Sequence, residues 1–174
     1  MKDERIMKKI GLFYAANAVK TSQIAKKIRE ALGTEYVDII PAEQAWGNDF
    51  EAYDNLIVGV STWFDGELPT YWDELIPELE TLDLKGKRVA LFGLGDQVNY
   101  PDNFVDGLGI LGDVFEKAGA ALVGFTPAKE YSFNRSKALR GNEWCGLVID
   151  IENQSGRTDK RIKAWCDRLK TELL

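Results

Sequence analysis

KKIGLFYAANAVKTSQIAKKIREALG, residues 8–33, decides the fold. Its first part is an apolar run of strand length, which places a strand near residues 8–14. A short polar turn follows. Ile24, Ile28 and Leu32 then recur every four residues on one helical face, and Gly33 ends the helix. A strand that feeds straight into a helix is the first half of a βαβ unit, and the unit repeats. EYVDII (35–40) is a second strand closed by Pro41, and NLIVGV (55–60) is a third. The third is apolar without alternation, as a parallel strand covered on both faces must be. LPTYWDELIPELETL (68–82) is helical, with Pro77 limiting its regularity. KRVALFGLG (87–95) is a fourth strand. Residues 103–118 form a helix with Phe104, Leu108, Leu111, Phe115 and Ala118 on one stripe. AALVGF (120–125) is a fifth strand. The stretch 127–146 reads as polar and irregular, with aromatics at Tyr131, Phe133 and Trp144, and GLVID (146–150) is strand-like again. Thr158 is placed to cap a last helix that buries Ile162, Trp165, Cys166, Leu169 and Leu173. Strands alternating with helices give a doubly wound parallel α/β sheet with helices on both faces, expected as one domain over 1–174.

Composition narrows the chemistry. With 45% hydrophobic and 29% charged residues, the chain has the make-up of a water-soluble globular protein. A net charge of −6 argues against nucleic acid and anionic membranes as partners, and it suits a basic protein partner. The opening MKDERIMKKI lacks the apolar core of a signal peptide, so a cytoplasmic location is expected. Cys145 and Cys166 have no CxxC spacing, which points to reduced thiols rather than a disulfide or zinc site. There is no histidine, which excludes Ser-His-Asp and Cys-His catalysis and most transition-metal sites. Chemistry here would have to come from a bound cofactor.

In an open α/β sheet, ligands bind beyond the carboxyl ends of the strands, where strand order reverses. The loops at that rim are Ala15–Thr21, STWFDGELP (61–69), GLGDQVNYPDNF (93–104) and DIENQSGRTD (150–159). Two of them set a large aromatic in a polar turn that contains glycine, Trp63 in one and Tyr100 in the other. A pair of aromatics on adjacent loops can sandwich a flat ring; each taken alone also suits a cap on the core.

VGVSTWFDGELPTYWDELIPEL, LDLKGKRVALFGLGDQVNYPDNFVDGLGIL and ENQSGRTDKRIKAW strongly resemble long-chain flavodoxins, over almost the whole chain. YSFNRSKALRGNEWCGL resembles the insertion that splits the fifth strand in the long-chain group. The resemblance implies strand order 2-1-3-4-5, a single non-covalent FMN, and low-potential one-electron transfer between larger redox enzymes. By position, Trp63 and Tyr100 match the aromatics flanking the flavin ring, and Thr62, with Ser61 beside it, lies near the ribityl chain and phosphate. Asp96 and the Gln97 backbone match groups at the pyrimidine edge, in a loop that includes Gly93, Leu94, Gly95 and Asn99. Asp150 falls near the ribityl side. The Phe64–Asp65 peptide, with Gly66 giving room beside it, matches one that reorients on reduction. A carbonyl turned toward a newly protonated ring nitrogen stabilises that state, because an unmade buried hydrogen bond costs about 1–3 kcal/mol.

The phosphate loop departs from the family pattern, roughly Thr/Ser-x-Thr-Gly-x-Thr. Here it reads Ala16, Asn17, Ala18, Val19, Lys20, Thr21. Two hydroxyls have become alanine and the glycine has become valine, which disfavours a left-handed backbone. The helix start, Thr21, Asn17 and Lys20 remain to attract an anion. The leading expectation is therefore an FMN electron carrier, a monomer serving a reductase and an acceptor enzyme with basic docking surfaces. The acids Asp65, Glu67, Asp73, Glu74, Asp102 and Asp106 would form the facing rim. The alternative is a binding or regulatory module that takes no FMN, or a phosphate-free flavin. A quinone-reductase-like enzyme ranks last, since the chain lacks an obvious substrate domain.

Overall fold

The central strands are apolar throughout because helices cover both of their faces. The computed structural model describes residues 7–63 and 65–174. In chain order, β1 (Ile10–Tyr14) leads into α1 (Val19–Leu32), then β2 (Val37–Pro41), a 3-10 turn (Ala42–Gln44) and the short α2 (Gly47–Glu51). β3 (Asn55–Ser61) precedes α3 (Thr70–Leu79), and β4 (Arg88–Leu94) precedes α4 (Asp106–Lys117). After β5 (Ala121–Val123) come β6 (Thr126–Pro127), β7 (Leu139–Arg140), β8 (Glu143–Trp144) and β9 (Leu147–Ile149). The chain ends with α5 (Ile151–Gln154), a 3-10 turn (Ser155–Arg157) and α6 (Thr158–Glu172).

The main sheet is parallel, in the order β2-β1-β3-β4-β5, with β9 also paired to β4. Side chains alternate across it. Ile10, Leu12, Ile57, Ala90, Phe92 and Ile149 pack beneath α1 and α6. Phe13, Leu56, Val58, Val60, Leu91 and Val148 pack beneath α3 and α4. Gly59 is required by this packing. A Cβ there would lie 2.0 Å from Phe92 Cζ, so only glycine lets the Phe92 ring cross β3.

The fifth sheet position is filled in two pieces. β5 pairs with Arg88–Ala90 of β4, and β9 pairs with Phe92–Leu94 of the same strand. The chain between them leaves the sheet and returns, so the fifth strand is split as the long-chain resemblance implied. The expectation of an irregular 127–146 is corrected, because the excursion forms its own antiparallel sheet, β6-β8-β7. Its aromatics make a satellite core with Phe104: ring centroids of Phe104, Tyr131 and Phe133 lie 5.6, 5.4 and 5.0 Å from that of Trp144.

Other boundaries move for local reasons. The helix expected from residue 103 begins at Asp106, because Val105 takes a left-handed φ of 49° and breaks the turn before it. Thr158 does not cap α6. It is the first helical residue, and its buried hydroxyl has no hydrogen-bond partner. Cys145 and Cys166 are free and buried, and burial pushes their thiols up to about 11 and about 12. Among the described residues, no helix is long and apolar enough to cross a membrane, and no group of side chains is arranged to hold a metal ion.

Candidate functional site

Four strands release their loops at one end of the sheet, around a cavity of about 420 Å³. Ala18–Thr21 after β1, Ser61 and Thr62 after β3, Leu94, Gly95, Asp96 and Tyr100 after β4, and Ile151 and Glu152 after β9 form its wall. Another cavity, of about 260 Å³, lies between the insertion and α6, away from these strand ends.

The start of α1 forms one side. The N–H groups of Val19, Lys20 and Thr21 belong to the first helical turn and have no partner within the helix. Ala18 stands at the N-cap in extended geometry with no side-chain oxygen to offer. The loop before it is engaged elsewhere: the N–H groups of Ala16 and Asn17 donate to the Glu43 carboxylate at 3.2 and 3.3 Å. Lys20 is ion-paired to Glu152 on the opposite wall. Val19 takes no left-handed angle; it is an ordinary first helical residue, 69% exposed. The backbone conflict expected from valine at this position is therefore absent.

Trp63 sits at the base of a tight hairpin loop. Trp63 and Glu67 exchange N–H···O bonds of 2.8 Å, which brings the two ends of the loop together. Phe64 lies outside the described residues, and so does the Phe64–Asp65 peptide expected to reorient. Gly66 has φ 88°, and a Cβ on it would lie 2.8 Å from Asp106 Oδ2. A Gly66→Ala substitution is expected to cost about 1–2 kcal/mol from the left-handed backbone alone. Chemical denaturation checks this, and an unchanged midpoint would refute the strain. The Trp63 ring is 41% exposed and meets Tyr71 edge-on at 6.3 Å. Thr62 Oγ1 accepts the Gly107 N–H at 3.0 Å, tying this loop to the start of α4.

The loop after β4 is organised by carboxylates. Asp96 accepts from the N–H groups of Val98 and Asn99 and from both side-chain amides, Asn99 and Asn153. Partial burial opposes its charged form, but the hydrogen bonds, led by the Asn99 N–H and the Asn153 amide, outweigh it and hold the carboxyl below its usual range. Tyr100 N–H returns to the Asp96 carbonyl at 2.9 Å, which leaves the Tyr100 ring 48% exposed.

Two expected contacts are displaced inward. Asp150 is fully buried and is not on the cavity wall. Its carboxylate accepts from Gln97 N–H and Gln97 Nε2, at 3.0 and 2.7 Å, and from Asn153. Gln97 N–H is thus already bonded, and Gln97 Oε1 accepts from Ser132 N–H of the insertion at 2.7 Å. Gly93 lies within β4 rather than on the wall, and Asn99 serves Asp96. Asp65, Glu67, Asp73, Glu74 and Asp102 are exposed as expected of a rim. Asp106 is not; it is buried and accepts the Lys137 N–H of the insertion at 2.8 Å.

Sequence reasoning missed Glu43 and Glu152. Glu43 follows β2, a strand whose trailing loop carries no motif. Glu152 sits within a stretch read for its place at the rim, its family resemblance, Asp150 and Thr158, and not for its own charge. Pairing with Lys20 lies 132 residues away along the chain, beyond any local pattern.

Comparison with known proteins agrees with this fold. The family model for flavodoxins matches residues 12–165. A flavodoxin of a Nostoc species is 45% identical over 165 residues, spanning 95% of this chain and 97% of its own length. Flavodoxin 1 of Escherichia coli is 39% identical over 164 residues, spanning 94% and 93%. Among solved structures, Fusobacterium nucleatum flavodoxin bound to flavin mononucleotide superposes with a TM-score of 0.89 at 32% identity, covering 97% of this chain and all of that one.

Proposed function

Because the chain belongs to the flavodoxin family, we propose that it carries electrons one at a time on a non-covalently bound FMN, and is a carrier rather than an enzyme. The observation that carries this reading is the cavity itself. It runs from a helix start with unpaired N–H groups to a loop that presents Tyr100, and the neighbouring loop presents Trp63. The residues fit the group. Thr21, Ser61 and Thr62 bring hydroxyls, and the helix N-terminus favours an anion. Trp63 and Tyr100 are large rings left exposed at a rim, where an apolar face gains most from being covered.

FMN, when bound, supplies the electron chemistry. The chain supplies position and field. The α1 start and Thr21 would hold the phosphate, Thr62 would serve the ribityl chain, and Trp63 and Tyr100 would cover the ring and keep water from it. Asp96, on the cavity wall, would hold the edge of the ring, and the bonded Gln97 braces that loop from beneath. Exposed Asp65, Glu67, Asp73, Glu74 and Asp102 disfavour added negative charge on the ring, which lowers its potential. The same acids steer basic surfaces of a reductase and an acceptor enzyme toward the exposed edge, so exchange rates should fall as salt rises. The working form is a cytoplasmic monomer of one domain, consistent with the net charge of −6.

An absorbance spectrum of the purified protein and a fluorescence titration with FMN test the assignment. Trp63→Ala is expected to weaken FMN by about 1–3 kcal/mol, the worth of one stacked ring. Unchanged affinity and unchanged potentials would remove Trp63 from the site.

A further inference from the structure

The loop before α1 is engaged by carboxylates where a phosphate loop would offer free donors, one on the cavity wall and one behind the loop. Glu43 lies in the 3-10 turn after β2, and its carboxylate takes the N–H groups of Ala16 and Asn17, the first two amides of the loop. Glu152 follows β9, lines the cavity, and neutralises Lys20, the cation of the loop. Of the six loop residues Ala16–Thr21, only those from Ala18 onward reach the cavity wall. We propose that Glu43 and Glu152 are specificity-determining residues that hold the phosphate site against a dianion, so that this chain prefers FMN over riboflavin by a narrow margin.

The argument is electrostatic and rests on the FMN reading of this cavity. A phosphate bound at the α1 start gains from backbone donors and the helix dipole. The same phosphate meets Glu152 on the cavity wall, Lys20 is already compensated, and behind the loop Glu43 occupies the amides that precede the helix start. Alanine at positions 16 and 18 removes the hydroxyls that would offset this repulsion. The Glu43 contacts are 3.2 and 3.3 Å, longer than the roughly 2.7–2.9 Å of tight charge-assisted bonds. Glu43 therefore holds the amides loosely and can be displaced, at a cost that riboflavin, with no phosphate, does not meet. Both glutamates are exposed, so replacing either leaves the core intact.

The test uses the full chain stripped of flavin and titrated with FMN, riboflavin and inorganic phosphate, for the native protein, E43Q and E152Q. Each variant is expected to tighten FMN by about tenfold, as one like charge is removed beside the phosphate, and to leave riboflavin within about twofold. FMN affinity unchanged or lowered in both variants overturns the proposal, since the glutamates would then be scaffolding the loop. A parallel change for both flavins overturns it as well, because the effect would lie in the ring pocket. If neither flavin binds any form, the electron-carrier reading fails. Calorimetry with phosphate still decides this proposal, where tighter phosphate in E43Q or E152Q supports it and equal binding overturns it. If E43Q loses its folded circular-dichroism signal, E152Q decides the matter alone.

Discussion

Restoring threonine at Ala16 and Ala18 is expected to tighten FMN by roughly two to four orders of magnitude. Each hydroxyl bonded to a phosphate oxygen is charge-assisted and worth about 1.5–3 kcal/mol, so two add about 3–6 kcal/mol. A second gain comes through the helix. Ala18 is the N-cap of α1 with φ −83° and ψ 96°, the extended geometry in which a threonine oxygen reaches the N–H groups of the first turn. An N-cap hydroxyl stabilises by about 1 kcal/mol, and that term raises flavin-free stability rather than affinity. Adding glycine at Val19 should contribute little to FMN binding. Val19 is already a helical residue without a left-handed angle, and glycine inside a helix costs up to about 1 kcal/mol. Fluorescence titration of A16T/A18T, with and without V19G, measures both terms. A gain of less than about tenfold in the double variant would show that the alanine loop binds phosphate through contacts of another kind.

Much of the architecture was written in local pattern. β3 and β4 are long unbroken apolar runs, and α1 and α6 repeat their apolar residues at helical spacing, so their type and order follow from period alone. The short pieces were not legible. α2 is five residues, GNDFE, too few to show a period, and it exists because Asp49 closes on the Trp46 N–H at 2.8 Å. The two-residue strands of the insertion are ordered by their aromatic core and by Pro101, Asp106 and Gln97, partners distant in sequence. The site divides in the same way. Trp63 and Tyr100 stand out as large rings in polar turns, and both are exposed, Tyr100 on the cavity wall and Trp63 on the loop beside it. Buried carboxylates do not announce their partners, and this is why the sequence offers Asp150 as a ribityl neighbour and Asp106 as part of an acidic rim, with no sign of the supports they make.

The largest stability effect should therefore come from Asp150→Ala, at about 3–5 kcal/mol of lost unfolding free energy. The carboxylate is fully buried and gathers Gln97 N–H, Gln97 Nε2, Asn153 N–H and Asn153 Nδ2. Alanine leaves the two buried Gln97 donors facing a cavity while the exposed Asn153 can turn to water, and each buried donor without an acceptor costs about 1–3 kcal/mol. Partial relaxation and entering water keep the total below the simple sum. Against a whole-domain stability of about 5–15 kcal/mol, this is a large share. The damage should also spread in one direction. Gln97 carries Ser132 of the insertion on its other end, and Asn153 shares Asp96, which orders the turn leading to Tyr100. Amide exchange at Val98, Asn99 and Ser132 should accelerate together, while the α1 start stays protected as before. Denaturation of the flavin-free protein separates this supporting role from the ribityl contact expected from sequence. If Asp150 acted by touching the flavin, Asp150→Ala would weaken FMN and leave flavin-free stability unchanged. A loss that is already full in the flavin-free protein places Asp150 beneath the site, where it holds the loop that does the touching.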